Sequence, residues 1–196
     1  DDFYYREHMH ELPPLIHKSR DRMIDVHHTI LPLTHRITPD ALALVSDAVT
    51  GAGGFAVLNS VDMACHCAAH MLADGDLQGG LRNLWDFHLM TRDFAATDPA
   101  FWEQLKRRAR LHGLQGAVQR AARLSRDVYG AALPEEWDGQ GGKDRWFRQR
   151  LFARDDWGRV TQPLLEQGFY IRSHWLRMPP KMLAQHLWTK WRKNRI

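Results

Sequence analysis

Two groups of side chains in this sequence have the types and the spacing for chemistry. The first is Asp25 and His27, within Met23-Ile24-Asp25-Val26-His27-His28. Two residues apart on an extended chain, they share one face. A carboxylate beside an imidazole can hold a metal ion or orient a phosphate. The surrounding stretch is rich in imidazoles: six of the twelve histidines (His8, His10, His17, His27, His28, His35) fall in the first 35 residues. The plainer reading is a polar strand face, left open or covered by another part of a larger protein. The second group is Asp62, His66 and His70, at i, i+4 and i+8 on one helical stripe. Two histidines one turn apart can ligate one zinc ion, with a third ligand from His88 or Asp86 on the next helix. The glutamate that follows the first histidine in the helical metalloprotease motif is missing here. A half-buried stripe at a helix–helix contact, each histidine hydrogen-bonded, is the simpler expectation. Asp86 has Arg82 four residues earlier, an ordinary ion pair worth a few tenths of a kcal/mol, which is favoured over a role as catalytic base.

Other chemistries find no support. No Ser-His-Asp or Cys-His arrangement stands out, and no glycine loop leads into Lys-Ser or Lys-Thr. The two cysteines of Cys65-His66-Cys67 would point about 200° apart on a helix, which argues against a disulfide between them. They read as small core residues in a reducing, cytoplasmic setting.

These groups need elements to position them. The segment 3–31 reads as β-rich: Pro13-Pro14 opens a hairpin, Leu15 to Lys18 is its first strand, residues 19–22 turn, and Met23 to Leu31 is the second strand. From residue 38 the pattern turns helical. Thr38-Pro39 reads as a cap and first turn for a helix to about Val49, broken by Gly51 to Gly54. Ser60 caps a helix over about 61–74. Leu81 to Phe94 is apolar on most sides and is expected at the centre of the bundle. Asp98-Pro99 opens a helix that stops at Gly113, and Gln115 to Tyr129 follows with Gly130 as its stop. Residues 134–143 are a loop. Three helical segments follow, at about 144–153, 156–175 with a kink at Pro163, and 180–193. The fold expected is mainly α (α+β): a short β element, residues 1–36, then a helical domain, 37–196, of about seven helices.

At 196 residues and 44% hydrophobic, with eight Trp and eight Phe, the chain can bury a sizeable core. The start has no signal-peptide pattern, and no apolar run is long enough to span a membrane. The opening Asp1-Asp2-Phe3 suggests a cut from a longer parent protein. The net charge of +4 is uneven: no acid follows Glu166, whereas seven cations do, leaving residues 1–166 at −3. The basic tail 172–196 hints at an anionic partner. Its last helix sets Leu183, Leu187, Trp188 and Trp191 opposite Lys181, Arg192 and Lys193. That pattern fits packing on the bundle, a membrane surface, or a nucleic-acid backbone.

Five strings, in order, carry a family resemblance: His10-Glu11-Leu12-Pro13-Pro14-Leu15, Met23-Ile24-Asp25-Val26-His27-His28, Cys65-His66-Cys67-Ala68-Ala69-His70, Leu84-Trp85-Asp86-Phe87, and Arg172 to Pro179. Together they are similar to the C-terminal portion of the uncharacterised bacterial nucleotidyltransferases of the DNA polymerase beta-like superfamily. The resemblance implies transfer of a nucleotide from an NTP to an unknown acceptor, with magnesium held by three carboxylates. Ile24-Asp25-Val26 matches the strand of the third carboxylate, so Asp25 is the implied catalytic metal ligand. His66 and Asp86 match positions near the nucleotide or acceptor, and His27 and His70 join them as candidate substrate-binding residues. The Gly-Ser turn leading into an Asp-x-Asp strand, as in that superfamily, does not occur in these residues. The chain alone is therefore expected to be inactive, and whether to count it as an enzyme is left open. The alternative is a non-catalytic helical module that binds a peptide, protein or carbohydrate. A third reading is a metal-binding protein built on the His-rich start. An incomplete sheet would leave strand edges that favour a homodimer.

Overall fold

Helices with small-residue faces can approach closely, and two of them, with two that carry larger side chains, build the centre of this protein. The computed structural model describes residues 2–139 and 141–193. Asp1, Gln140 of the predicted loop, and residues 194–196, including Arg195 of the basic tail, lie outside the described residues. Helix α3 (Ser60–Ala68) turns Ala64, Cys65 and Ala68 inward, and α6 (Gln115–Tyr129) turns Ala117, Val118, Ala121 and Ala122 inward. Leu84 and Phe87 of α4 (Gly80–Thr97) and Phe101 and Leu105 of α5 (Phe101–Leu111) fill the space between them, all fully buried. Helices α7 (Asp144–Leu151) and α8 (Pro163–Arg177) add Phe147 against Phe169, and α9 (Pro180–Lys193) lays Leu183 on the edge. The protein is thus mainly helical, with short β elements, as its sequence suggests. Among the described residues no helix is long and apolar enough to cross a membrane.

The N-terminal part departs from a continuous β reading. Asp2–His8 is a helix, α1. The hairpin is present but short: β1 (Leu15–Ile16) pairs antiparallel with β2 (Met23–Ile24), Leu15 opposite Ile24 and Ile16 opposite Met23. Asp21 takes the left-handed conformation at the turn. Pro13 and Pro14 have no N–H to give, so the ladder lapses and resumes with Leu12 N–H to Val26 O and an isolated bridge between Glu11 and His27. Three residues (12–14) then stand opposite two (Asp25 and Val26). That mismatch is a bulge.

Other boundaries shift for local reasons. Asp40, not Thr38, caps α2 (Ala41–Ser46), accepting from Ala43 N–H at 3.0 Å. Val49–Thr50 (β3) and Ala56–Val57 (β4) pair around the left-handed Gly53 and Gly54, where the sequence suggested only a break. Asn59 caps α3, and the helix widens into a π-turn over Ala69–Asp74. Pro163 begins α8 instead of kinking it, because a first-turn proline gives up no hydrogen bond. Before it, Asp155 accepts from Trp157 and Arg159 N–H to close a turn at the left-handed Gly158. Trp137 is buried inside the predicted loop. On α4, Trp85 is 43% exposed, so that helix is not enclosed on all sides.

Candidate functional site

The stripe Asp62, His66, His70 splits into two environments. Asp62 is fully buried. Its carboxylate accepts from Arg108 Nε at 2.5 Å, Arg108 Nη2 at 2.6 Å, Asn59 Nδ2 at 2.9 Å and His112 Nε2 at 3.1 Å. His112 Nδ1 takes the N–H of Asp40, which leaves the Nε2 proton for Asp62. Burial pushes the Asp62 carboxyl up, but His112 and Arg108 outweigh it and hold it below the ordinary value. Its four acceptor positions are filled, so Asp62 has a structural role.

One and two turns on, His66 and His70 face the hairpin. Their Nε2 atoms are 3.1 Å apart and their ring centroids 4.5 Å apart. The ring of His10 lies 6.5 Å from that of His70 and 4.7 Å from that of His27. Glu11 Oε2 stands 3.5 Å from His27 Nε2. The bridge between Glu11 and His27, and the His28 N–H bond to His10 O, hold these segments side by side. Burial first, then the neighbouring His70, His27 and His10, push the His66 imidazole down to about 4. Four imidazoles and one carboxylate thus meet where the N-terminal segment touches the end of α3. Three of the sequence candidates, His27, His66 and His70, are brought together. His10 and Glu11 join them; His10 belonged to the His-rich start and Glu11 only to a string singled out for likeness, and the cross-strand pairing reveals their place.

The other candidates lie elsewhere. Asp25 is exposed beside the bulge, and among the described residues no hydrogen bond or ion pair engages it. Asp86 is exposed on α4, and its charge adds to burial in pushing the Cys67 thiol up to about 11. The expected Arg82–Asp86 ion pair does not form among the described residues. His88 bonds Ser125 Oγ at 3.0 Å and stacks on Trp85, so it does not reach His66. Both cysteines are free, and burial pushes Cys65 up to about 12. A larger cavity, about 800 Å³, lies between α6 and α7, lined by Arg126, Asp144, Arg145, Arg148 and Gln162. Asp144 there is already held by Arg120 and Arg123.

Residues 1–130 match the sequence model of a family described as an uncharacterised nucleotidyltransferase. The chain belongs to that family. The matched nucleotidyltransferase region contains Asp25, Glu11, all four clustered histidines and Asp86, and ends just after α6. No curated protein and no solved structure matches the chain. Magnesium prefers six oxygen ligands in octahedral array. Among the described residues no second carboxylate joins Asp25 in a metal-sized group; the one such group is His10, Glu11 and His27, whose donors are mostly nitrogen. The residues present do not by themselves make a magnesium site.

Proposed function

We propose that this chain supplies the last strands of a nucleotidyltransferase's catalytic sheet, together with the helical domain that shapes its acceptor site. The complete protein would move a nucleotide from an NTP to an acceptor, which attacks the α-phosphate as pyrophosphate leaves. Asp25 is the carboxylate that this chain contributes to magnesium. His27, His66 and His70 line the substrate side. Asp86, apart from that group on the outer side of α4, is left to meet the acceptor.

The observation that carries this reading is the bulge at residues 12–14. Bulges gather beside active sites, where they re-aim a side chain. Here the bulge frees Asp25 from the ladder, and two residues on His27 still reaches the histidines. The hairpin surface supports the same reading. Leu15, Ile16, Met23 and Ile24 are all more than half exposed. Apolar surface of this kind calls for a cover, and further strands of one sheet would provide it. Asp25 cannot hold the ion alone, so the chain by itself is expected to be inactive.

Calorimetric titration of ATP, GTP, CTP and UTP with magnesium tests this, on the chain and on the protein as its gene encodes it. The latter is expected to bind an NTP only with magnesium, and Asp25→Ala to remove that binding. Binding that Asp25→Ala leaves unchanged, or no NTP bound by either form, contradicts the proposal.

A further inference from the structure

Four imidazoles and one carboxylate gathered at one junction need an explanation. Two histidines one turn apart on a helix point their rings the same way. In this protein the π-turn that starts at Ala69 carries His70 onto His66, with 3.1 Å between their Nε2 atoms. Two nitrogens bound to one tetrahedral zinc, at the usual bond length, stand about 3.3 Å apart. The pair is therefore spaced as zinc would space it. The ring centroids of two imidazoles on one zinc lie about 5 Å apart. Here the rings follow in a chain from His27 to His10 at 4.7 Å, His10 to His70 at 6.5 Å, and His70 to His66 at 4.5 Å. Bringing all four around a single point requires the N-terminal segment to close the gap between His10 and His70, whose rings are the farthest apart in the chain of rings. Potential ligand atoms of His10, Glu11 and His27 already lie within 4.8 Å of one another.

We infer that His66 and His70, with His10 and His27, hold a zinc ion that ties the N-terminal hairpin to the helical body. Imidazole nitrogen suits zinc, whereas magnesium is left to oxygen ligands. Glu11 has the position of the outer carboxylate common at such sites. It takes one ring nitrogen of His27, at 3.5 Å, and leaves the other for the metal. The site is half-buried and His27 is exposed, so an ion has a way in. Apart from this group, the hairpin strands touch mainly one another, so the metal would be its main anchor. The zinc site shares His27, His66 and His70 with the substrate side proposed above, but it needs no nucleotide to form, so either reading can fail alone.

The test uses the whole chain, stripped with a chelator and titrated with zinc against a chromophoric competitor. One zinc per chain is expected. His66→Gln and His10→Gln should each weaken it by about 100-fold or more, while His88→Gln, outside the cluster, should not. Cobalt(II) in place of zinc should give the intense visible absorption of a tetrahedral site. Zinc-edge X-ray absorption on the loaded wild-type chain should count nitrogen neighbours at about 2.0–2.1 Å, a readout that does not depend on how any variant folds. Zinc should also slow proteolysis within residues 12–25. A wild-type chain that takes up no zinc, a metal shell of oxygen alone, or affinity unmoved by both His66→Gln and His10→Gln overturns the inference.

Discussion

Asp62 and His66 stand one turn apart on the same face of α3, yet one belongs to the scaffold and the other to the site. Asp62 meets four donors that fill every acceptor position it has, and no solvent reaches it. His66 meets three other imidazoles, His10, His27 and His70, and stays half-buried. The difference comes from the elements opposite. The Asp62 turn faces α5, whose Arg108 completes it together with His112 at the end of that helix; the His66 turn faces the hairpin. A closed polar network of a carboxylate and its donors stabilises a fold, and a half-buried group of imidazoles has the donor type that metals take.

Removing Asp62 should give the largest effect. Asp62→Ala leaves Arg108 and His112 facing one another without the carboxylate, and should cost about 3–5 kcal/mol in urea unfolding. His66→Gln removes one imidazole contact and should cost only about 1 kcal/mol. Equal losses would make the histidine cluster part of the scaffold and break the distinction.

Acid should separate the two regions next. In the metal-stripped chain the folded His66 is held down to about 4 against an ordinary 6.5, so the unfolded state binds the proton first as pH falls. Stability is then lost between those two values as pH drops, and His66→Gln should flatten that loss. Asp62 is held below its ordinary 3.8, so its contribution is full above that value and disappears only as pH falls through the lower folded one. Thermal melts across this range read both windows.

The scaffold was more legible in the sequence than the site. Gln115 to Tyr129 is a helix stopped by Gly130 because apolar period and a left-handed glycine agree there. The hairpin turn and the final helix from Pro180 could be read for similar local reasons. Pro163 misled because proline inside a helical pattern and proline at its first turn look alike in one dimension. The β3–β4 hairpin hid because two-residue strands carry almost no period. At the site, the spacing of His66 and His70 was visible, whereas His88, offered with Asp86 as a further ligand, is turned to Ser125 and Trp85. The true neighbours of His66 and His70, His10 and His27, come from far along the chain, through a ladder whose register depends on a bulge.

The smallest effect on folding should come from Asp25→Ala. The side chain is exposed and unengaged among the described residues, so the change should stay within about 0.5 kcal/mol. A large loss of stability there would place Asp25 with Asp62 as scaffold.

The most direct test of the central claim is a hydrogen–deuterium exchange footprint of magnesium–NTP on the protein as its gene encodes it. It sets the histidine-lined hairpin junction against the arginine-lined cavity between α6 and α7. Protection is predicted over residues 8–28 and 66–74, with none over 141–152. Protection confined to 141–152 would put the phosphates among Arg126, Arg145 and Arg148, and would contradict the assignment of Asp25 and the histidines to the site.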